Sequence, residues 1–577
     1  MYVDIVPNRK SPPAILLRQS YRQGTKIRKK TVANLSHWPL WQVESLRKVL
    51  KGETLIPARG AFLIERSLPH GHVEAILGTI RRIEVEHMIA SQPSRERDLV
   101  VGMLVEQILH HSSKLADTRL WHTTSLGEEL GIQDADENEL YRALDWLWGR
   151  QKRIEKKLAK RHISESSAVF YDVTSSYYEG DSCPLVRWGH NRDGKKGHPI
   201  IVYGTLCEQE GRPIGVDVYP GNTSDPETLS DQLVKLRNSF GLKRIVLVGD
   251  RGLLTQTQID YLREYPGVGW ISALRSRAIG ELLEKGWLER SLFDARNLAE
   301  IHSPEFPHER LIACYNPLLA EERKRKRKEL LEATEAGLKK VAAEVERRTK
   351  RLLNKAEIGL KVGKVLGKYK MGKHFRLTIE DNRFEWGRRE EKIQQEEALD
   401  GIYIVRTSEP IEVLSAENAV RQYKNLSRVE RIYRTVKGLD ILIRPIRHRT
   451  EVHVRAHIFL CMLAYYVEWH MRSALAPLLF EDEELDELRR TRDPVAKAKP
   501  SESAKKKKST LATEEGFQVH SFDTLLKALS TMCKNYCNIK DGGPSTTFVQ
   551  YTEPNALQQR AYELLGLRGG VPVTHKM

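Results

Sequence analysis

Two aspartates and one glutamate, carried on three separate stretches, are the residues whose type and setting best suit chemistry. Ala168–Thr174 reads as a short buried strand, apolar and β-branched, that delivers Asp172 near its end. Arg244–Gly252 repeats the device, with Asp250 standing 78 residues after Asp172 and Gly249 and Gly252 allowing a sharp turn around it. Glu430 lies within Tyr423–Lys437, which reads as one helix. Three acids from separate elements of a strongly basic chain suggest a metal site that works on phosphate. Mg²⁺ prefers a few carboxylates and fills its other positions with water and substrate oxygens. Two such ions about 4 Å apart can activate a water or a 3′-hydroxyl and stabilise the leaving oxygen of an in-line displacement. Each acid also has a plainer reading. An aspartate ending a strand commonly caps a helix or forms a turn, and Glu430 could pair with Arg434 for roughly 0.2–0.5 kcal/mol. Tyr423, Glu430 and Lys437 are spaced by seven, so a helix would set all three on one face, with Arg434 and Lys437 at hand for a DNA phosphate.

The whole chain supports a polyanionic partner. Its 577 residues exceed a single core, and a net charge of +17 with Lys and Arg in nearly every segment favours nucleic acid. The six cysteines are scattered, which suits reduced thiols in the cytosol, and Cys533 and Cys537 lack a second pair of zinc ligands. Met1–Val6 has no basic start followed by an apolar run, so no secretory signal is expected. Val452–Met471 is the most apolar region, but His453, Arg455, His457 and Glu468 interrupt it, which indicates a buried helix and no membrane span. His453 and His457 have metal-ligand spacing without a glutamate beside the first, so core or DNA-facing histidines are the better reading. Glycine-rich nucleotide loops are absent.

The elements that would position the acids follow from periodicity. Residues 1–40 form a basic hairpin that turns at Gly24. Residues 41–162 turn helical, and the short Thr124–Ile132 helix followed by one from Asp136 permits either a helix-turn-helix or ordinary helical packing, so this region is taken as DNA-binding. Residues 163–275 hold the Asp172 strand, a polar loop Arg187–His198, two further strands, and a turn where Ser224 or Asp225 caps a helix. The Asp250 strand, another helix and a last strand complete the unit. Three antiparallel strands followed by αβαβ is the order of an RNase H-like sheet. Residues 276–412 interrupt it with a long charged helix over 319–358, a basic Lys361–Lys373 run and several strands. Residues 413–480 carry Glu430 and the apolar helix. Residues 481–510, with Lys505–Lys508, read as a flexible linker before a tail over 511–577. The fold class is therefore α/β: an RNase H-like catalytic core interrupted by a mixed α/β insertion, with a largely helical N-terminal region.

Tyr171–Thr174, Pro220–Asp225, Gly249–Gly252 and the Tyr423, Glu430, Lys437 spacing together resemble bacterial insertion-sequence transposases of the DDE class, in the group with a Tyr-Arg-Glu-Lys signature and an insertion before the glutamate. Val436–His448 and the hairpin ending Thr31–Leu35 are similar to the same group, and the resemblance spans most of residues 1–475. It implies that Asp172, Asp250 and Glu430 are catalytic and bind two Mg²⁺ or Mn²⁺ ions, with Tyr423 and Lys437 on DNA phosphate. The signature's arginine position is Leu426 here, so Arg428 or Arg434 would supply that role. Some members hold a flipped base on an aromatic, for which Trp386 is the candidate, with core packing as its alternative. The implied function is cleavage at element ends and strand transfer into target DNA by a homodimer on double-stranded DNA, in the bacterial cytoplasm at the nucleoid. The alternatives are an RNase H-like endonuclease without strand transfer and an inactive DNA-binding protein.

Overall fold

The structure is a computed structural model that describes residues 1–9, 11–53, 62–165, 167–180, 182–294, 296–438, 440–539 and 547–567. The chain divides into two compact units, Met1–Leu68 with Cys533–Thr552, and Pro69–Met532 with the residues from Glu553 on. In the first, strands Tyr2–Val6, Ala14–Gln23 and Lys26–Asn34 form an antiparallel sheet with a turn at Gly24. Helix Leu40–Leu50 closes a small core of Val3, Ile15, Leu35 and Val43. Strand Phe62–Pro69 pairs with Cys533–Ile539, which pairs with Thr547–Tyr551. The tail expected over 511–577 is thus split between the two units, because its middle strands find their partner some 470 residues upstream. Thr546, expected to start a strand, lies outside the described residues.

The second unit is built on an eight-stranded mixed sheet, ordered Leu298–Ile301, Arg310–Tyr315, Ile402–Thr407, Val268–Ala273, Ile245–Val248, Ala168–Tyr177, Ile200–Cys207, Pro213–Pro220. Ala168–Tyr177 pairs antiparallel with Ile200–Cys207, which pairs antiparallel with Pro213–Pro220. On its other side Ala168–Tyr177 runs parallel to Ile245–Val248, and that strand runs parallel to Val268–Ala273. These central strands are buried on both faces, which explains their near-continuous apolar runs. Glu451–Leu475 is largely buried because it is a core helix, enclosed by Gly71–Arg82, Arg95–Leu109, Glu137–His162 and the strand Pro213–Pro220. Among the described residues no helix is long and apolar enough to cross a membrane. His457 is buried in this core, where burial pushes its imidazole down to about 4, and His453 pairs with Asp145 at 3.1 Å. Gly131 closes the short helix Leu126–Leu130, and Asp136 caps Glu137–His162 through Glu139 N–H at 2.8 Å. The long second helix packs into the core along Leu140, Leu144, Leu147 and Leu158.

The flanks of the insertion extend the main sheet by three strands, so only residues between them form a separate body. There the long charged stretch is two helices, Pro317–Arg347 and Lys355–Tyr369, not one to residue 358. Leu331, Leu338, Val341 and Val345 recur at seven-, three- and four-residue steps and meet Ile358, Val362, Phe375 and Phe384 in a second core. The Lys361–Lys373 run is therefore mostly helical, with Lys361 on Glu344 at 3.0 Å and Lys373 on Glu396 at 3.1 Å. Residues 481–510, expected to be a flexible linker, instead hold helices Leu485–Thr491 and Glu502–Thr510. The physical reason is Lys507, which is buried, donates to the Ala476 carbonyl at 2.9 Å and pairs with Glu483.

One packing constraint bears directly on the Asp172 strand. A Cβ at Gly204 would lie 2.1 Å from Tyr171 Oη, whose hydroxyl donates to Thr228 Oγ1 at 2.8 Å. Gly204→Ala is expected to cost about 1–3 kcal/mol by overpacking, read as a lower urea midpoint. An unchanged midpoint would mean that Tyr171 is free to move aside.

Candidate functional site

The two strand-borne acids are aligned by the sheet itself. The parallel register ends at Phe170↔Val248, and Asp172 and Asp250 each stand two residues beyond it, Asp172 within its strand and Asp250 past the end of Ile245–Val248. Asp250 Oδ1 accepts N–H bonds from Gly252 at 2.9 Å and Leu253 at 2.7 Å, and Asp172 Oδ1 accepts from Val173 N–H at 2.8 Å. One oxygen of each carboxylate is thereby tied to backbone, while Oδ2 has no hydrogen bond among the described residues. Burial raises the Asp172 carboxyl from 3.8 to about 7, and the negative charge of Asp250 adds to the rise. Val173 N–H and Arg192 act against it, and Asp225, ion-paired with Arg192, acts with it.

The third acid arrives on a helix bolted to the same strand. Tyr423–Lys437, expected as one helix, is two: Ala416–Lys424 and Leu426–Lys437, dividing at Asn425. Val429, Ile432, Tyr433 and Val436 form the buried stripe of the second helix. The Tyr433 hydroxyl donates to the Asp172 carbonyl at 2.5 Å and accepts from Thr205 N–H at 3.2 Å, bridging the two strands at the catalytic candidate. Lys437 Nζ donates to Thr174 Oγ1 at 2.7 Å, the Ser175 carbonyl and Asp193 Oδ1 at 3.0 Å. Glu430, one turn before Tyr433, is exposed and makes no hydrogen bond or ion pair among the described residues, so the Glu430–Arg434 pairing is not formed. Tyr423 lies where it senses both remaining acids. Burial raises its phenol to about 12, Asp250 and Glu430 contribute to the rise, and Arg251 opposes it. Among the described residues, no group of three or more His, Cys, Asp or Glu side chains lies close enough as it stands to hold a metal.

The cationic candidates divide into free and engaged. Arg434 is exposed, without a hydrogen bond or ion pair among the described residues. Arg428 is paired with Asp486 at 2.6 Å, and the neighbouring Arg431 with Glu481 at 2.7 Å, so an acidic stretch covers that side of the helix. Lys437 is enclosed by strand and loop, and burial lowers its ammonium against the pull of Asp193. Trp386 is half-buried in the insertion core, edge-on to Phe375 at 6.0 Å, so packing accounts for it without a base. Leu426, at the signature's arginine position, packs against the main core. Tyr433, Arg192 and Asp193 were not singled out by sequence reasoning. The available signal for Tyr433 was its place three residues after Glu430 and four before Lys437, on the face they share.

A mixed α/β protein with one aspartate on a central strand, another two residues past the end of the neighbouring parallel strand, and a glutamate on a helix hydrogen-bonded to the first of these strands belongs to a class that comparison with known families makes specific. The family described as Transposase DDE domain matches residues 164–467, more than half of the chain, and the family described as IS1634 family transposase, N-terminal domain matches residues 3–58. The chain belongs to the DDE transposases of insertion sequences, and it is an enzyme of DNA transposition. Among solved structures, the cryo-EM structure of a piggyBac transposase synaptic complex with hairpin DNA matches at 10% identity with a TM-score of 0.33, covering 69% of this chain and 72% of that one. No curated protein matches the chain.

Two outcomes follow from the site's electrostatics. With the Asp172 carboxyl near 7 in the fold and near 3.8 in the unfolded chain, the folded state binds the extra proton between those values. Stability then falls as pH rises through that window and levels off above it. In EDTA, the urea midpoint of the wild type should drop more between pH 5 and pH 8 than that of Asp172→Asn, and parallel curves would contradict the assignment. Lys437→Met should destabilise the protein without DNA by about 1–3 kcal/mol, because buried Asp193 loses a donor. Loss of DNA affinity with unchanged stability would instead mark Lys437 as a phosphate contact.

Proposed function

We propose that Asp172, Asp250 and Glu430 are the catalytic carboxylates, and that they hold two divalent ions, Mg²⁺ or Mn²⁺, for cutting the element's ends and joining them to target DNA. The observation that carries this is the alignment of Asp172 and Asp250 two residues past a parallel register, with the Glu430 helix fastened to the backbone of Asp172. The strand order Pro213–Pro220, Ile200–Cys207, Ala168–Tyr177, Ile245–Val248, Val268–Ala273, antiparallel then parallel, supports an RNase H-like core.

The donor set suits such ions. It offers hard carboxylate oxygens, two of them left open by backbone bonds that fix the other oxygen, and a buried like-charge pair that a cation would relieve. Bound there, divalent ions lower the cost of deprotonating the attacking hydroxyl and of charge on the phosphate. Glu430, which has no hydrogen-bond or ion-pair partner among the described residues, completes the set as the Asn425 junction adjusts on binding DNA. Tyr423 orients between Asp250 and Glu430, and Arg434 meets a phosphate oxygen of the bound strand. Lys437 acts as a positioning residue through Thr174, Ser175 and Asp193. In the first step water attacks the scissile phosphorus and the 3′-oxygen leaves as a hydroxyl. In the second that 3′-hydroxyl attacks a target phosphodiester, one P–O bond forms and one breaks, and no external energy is needed. Pairing two element ends requires two active sites, which a homodimer on DNA supplies.

The test uses DNA carrying the element's own ends. Wild type with Mg²⁺ should nick and join, EDTA should stop both, and Asp172→Asn, Asp250→Asn and Glu430→Gln should each lose about a thousandfold or more in rate while DNA binding persists. Full activity in any of the three would remove that residue from the site. Nicking without joining would favour an endonuclease.

A further inference from the structure

The junction that precedes Glu430 closes one side of a cavity of about 280 Å³. Helices Ala416–Lys424 and Leu426–Lys437 form that side, and residues 485–498, which begin with helix Leu485–Thr491, form most of the other. Five cations line it, Arg421, Lys424, Arg489, Arg492 and Lys497, and among the described residues no Asp or Glu does. The one ion pair these five make among the described residues is Arg489 with Asp486, at 3.8 Å. Their hydrogen bonds go to neutral groups. Arg421 donates to Asn418 Oδ1 and to the Arg492 carbonyl, each at 3.1 Å, and Lys424 Nζ donates to the Val495 carbonyl at 3.1 Å. Arg421 Nε and Arg492 Nη1 are buried without a hydrogen-bond partner among the described residues.

The fold gains nothing from such a cluster by itself. Burial lowers the Lys424 ammonium, Arg492 adds to the fall, and Cys314 and Asp493 oppose it. Burial lowers the Arg489 guanidinium too, with Arg428, Arg492 and Arg431 adding and Asp486 opposing. Cations without counterions and buried donors without acceptors both cost stability, and a bound anion removes both costs. Asn425 and Ser427 also line the cavity, so it receives the positive end of helix Leu426–Lys437, which no side chain caps among the described residues. Guanidinium forks match phosphate oxygens, and lysine adds charge beside them. A single phosphate monoester carries a charge of about −1.5 to −2, well short of five cations, so the cavity suits adjacent phosphates.

We propose that this cavity binds a ligand with two or more adjacent phosphate groups, either a free di- or triphosphate or successive phosphates of a DNA strand. The inference goes beyond the assignment of the three acids and stands without it, since none of the five cations belongs to that set. A ligand held from both sides of the cavity would brace the junction at Asn425.

Inorganic pyrophosphate is titrated calorimetrically into the full-length protein in EDTA, so that no divalent ion can hold phosphate at the three acids. Wild type should bind it, and more tightly than sulfate at equal ionic strength. Lys497→Glu and Arg492→Gln should each weaken binding by about tenfold or more. Lys497 is exposed and makes no hydrogen bond or ion pair among the described residues. Its variant should therefore keep the wild-type melting midpoint without ligand and lose the rise that pyrophosphate gives. Lys324→Glu makes the same charge change at an exposed site on helix Pro317–Arg347 and should bind as wild type does. Repeating the titration on DNA-bound protein separates the sources: binding that persists marks a free polyphosphate, and binding that is lost marks DNA phosphates. No binding by wild type, unweakened binding by Lys497→Glu, or equal losses in Lys324→Glu and Lys497→Glu overturns the proposal while leaving the catalytic reading untouched.

Discussion

The fastening of the Glu430 helix to the Asp172 strand is the constraint on which the remaining geometry depends. A tyrosine hydroxyl that donates to the carbonyl of Asp172 and accepts from Thr205 N–H fixes the helix against two strands at once. The ammonium of Lys437 repeats the attachment one turn later, on Thr174 and Ser175. Without these bonds Glu430 would belong to a helix free to slide on an apolar stripe of Val429, Ile432 and Val436, since hydrophobic contact has no directional preference. Polar bonds to backbone set its register. They also make Lys437 a tether to strand and loop.

The charge distribution follows a similar logic. In a chain with a net charge of +17, burial and the nearby charge of Asp250 push the Asp172 carboxyl toward 7. A buried pair of like charges is costly in isolation, and a cation beside it would relieve that cost. Elsewhere the acidic residues Glu481 and Asp486 occupy Arg431 and Arg428 on the same helix. Arg434 is left without an ion pair on that helix among the described residues.

Much of this was legible in the amino-acid order, and the missing parts share a cause. The central strands announced themselves as apolar runs, and the helix starts at Asp136 and Ser224 followed from residue type. Periodicity reports which face of an element is buried and says little about what buries it. The pairing of Phe62–Pro69 with Cys533–Ile539, the docking of Lys507 and the packing of Trp386 are all non-local, and no local pattern encodes them. The break at Asn425 was hidden because both helices keep helical spacing across it. Lys437 illustrates the same limit for function: its position on the acid-bearing face was correct, but only the fold reveals that Asp193 and the strand carbonyls already use it.

The central claim, that acids far apart in the chain share one pocket for divalent ions, is tested most directly by loading Fe²⁺ in place of Mg²⁺ on the DNA-bound transposase and generating hydroxyl radicals with ascorbate. The backbone should be cut around Asp172, around Asp250–Leu253 and around Glu430–Tyr433, and excess Mg²⁺ should suppress all three. Cleavage confined to the two strand ends, with the Glu430 helix untouched, would contradict the account.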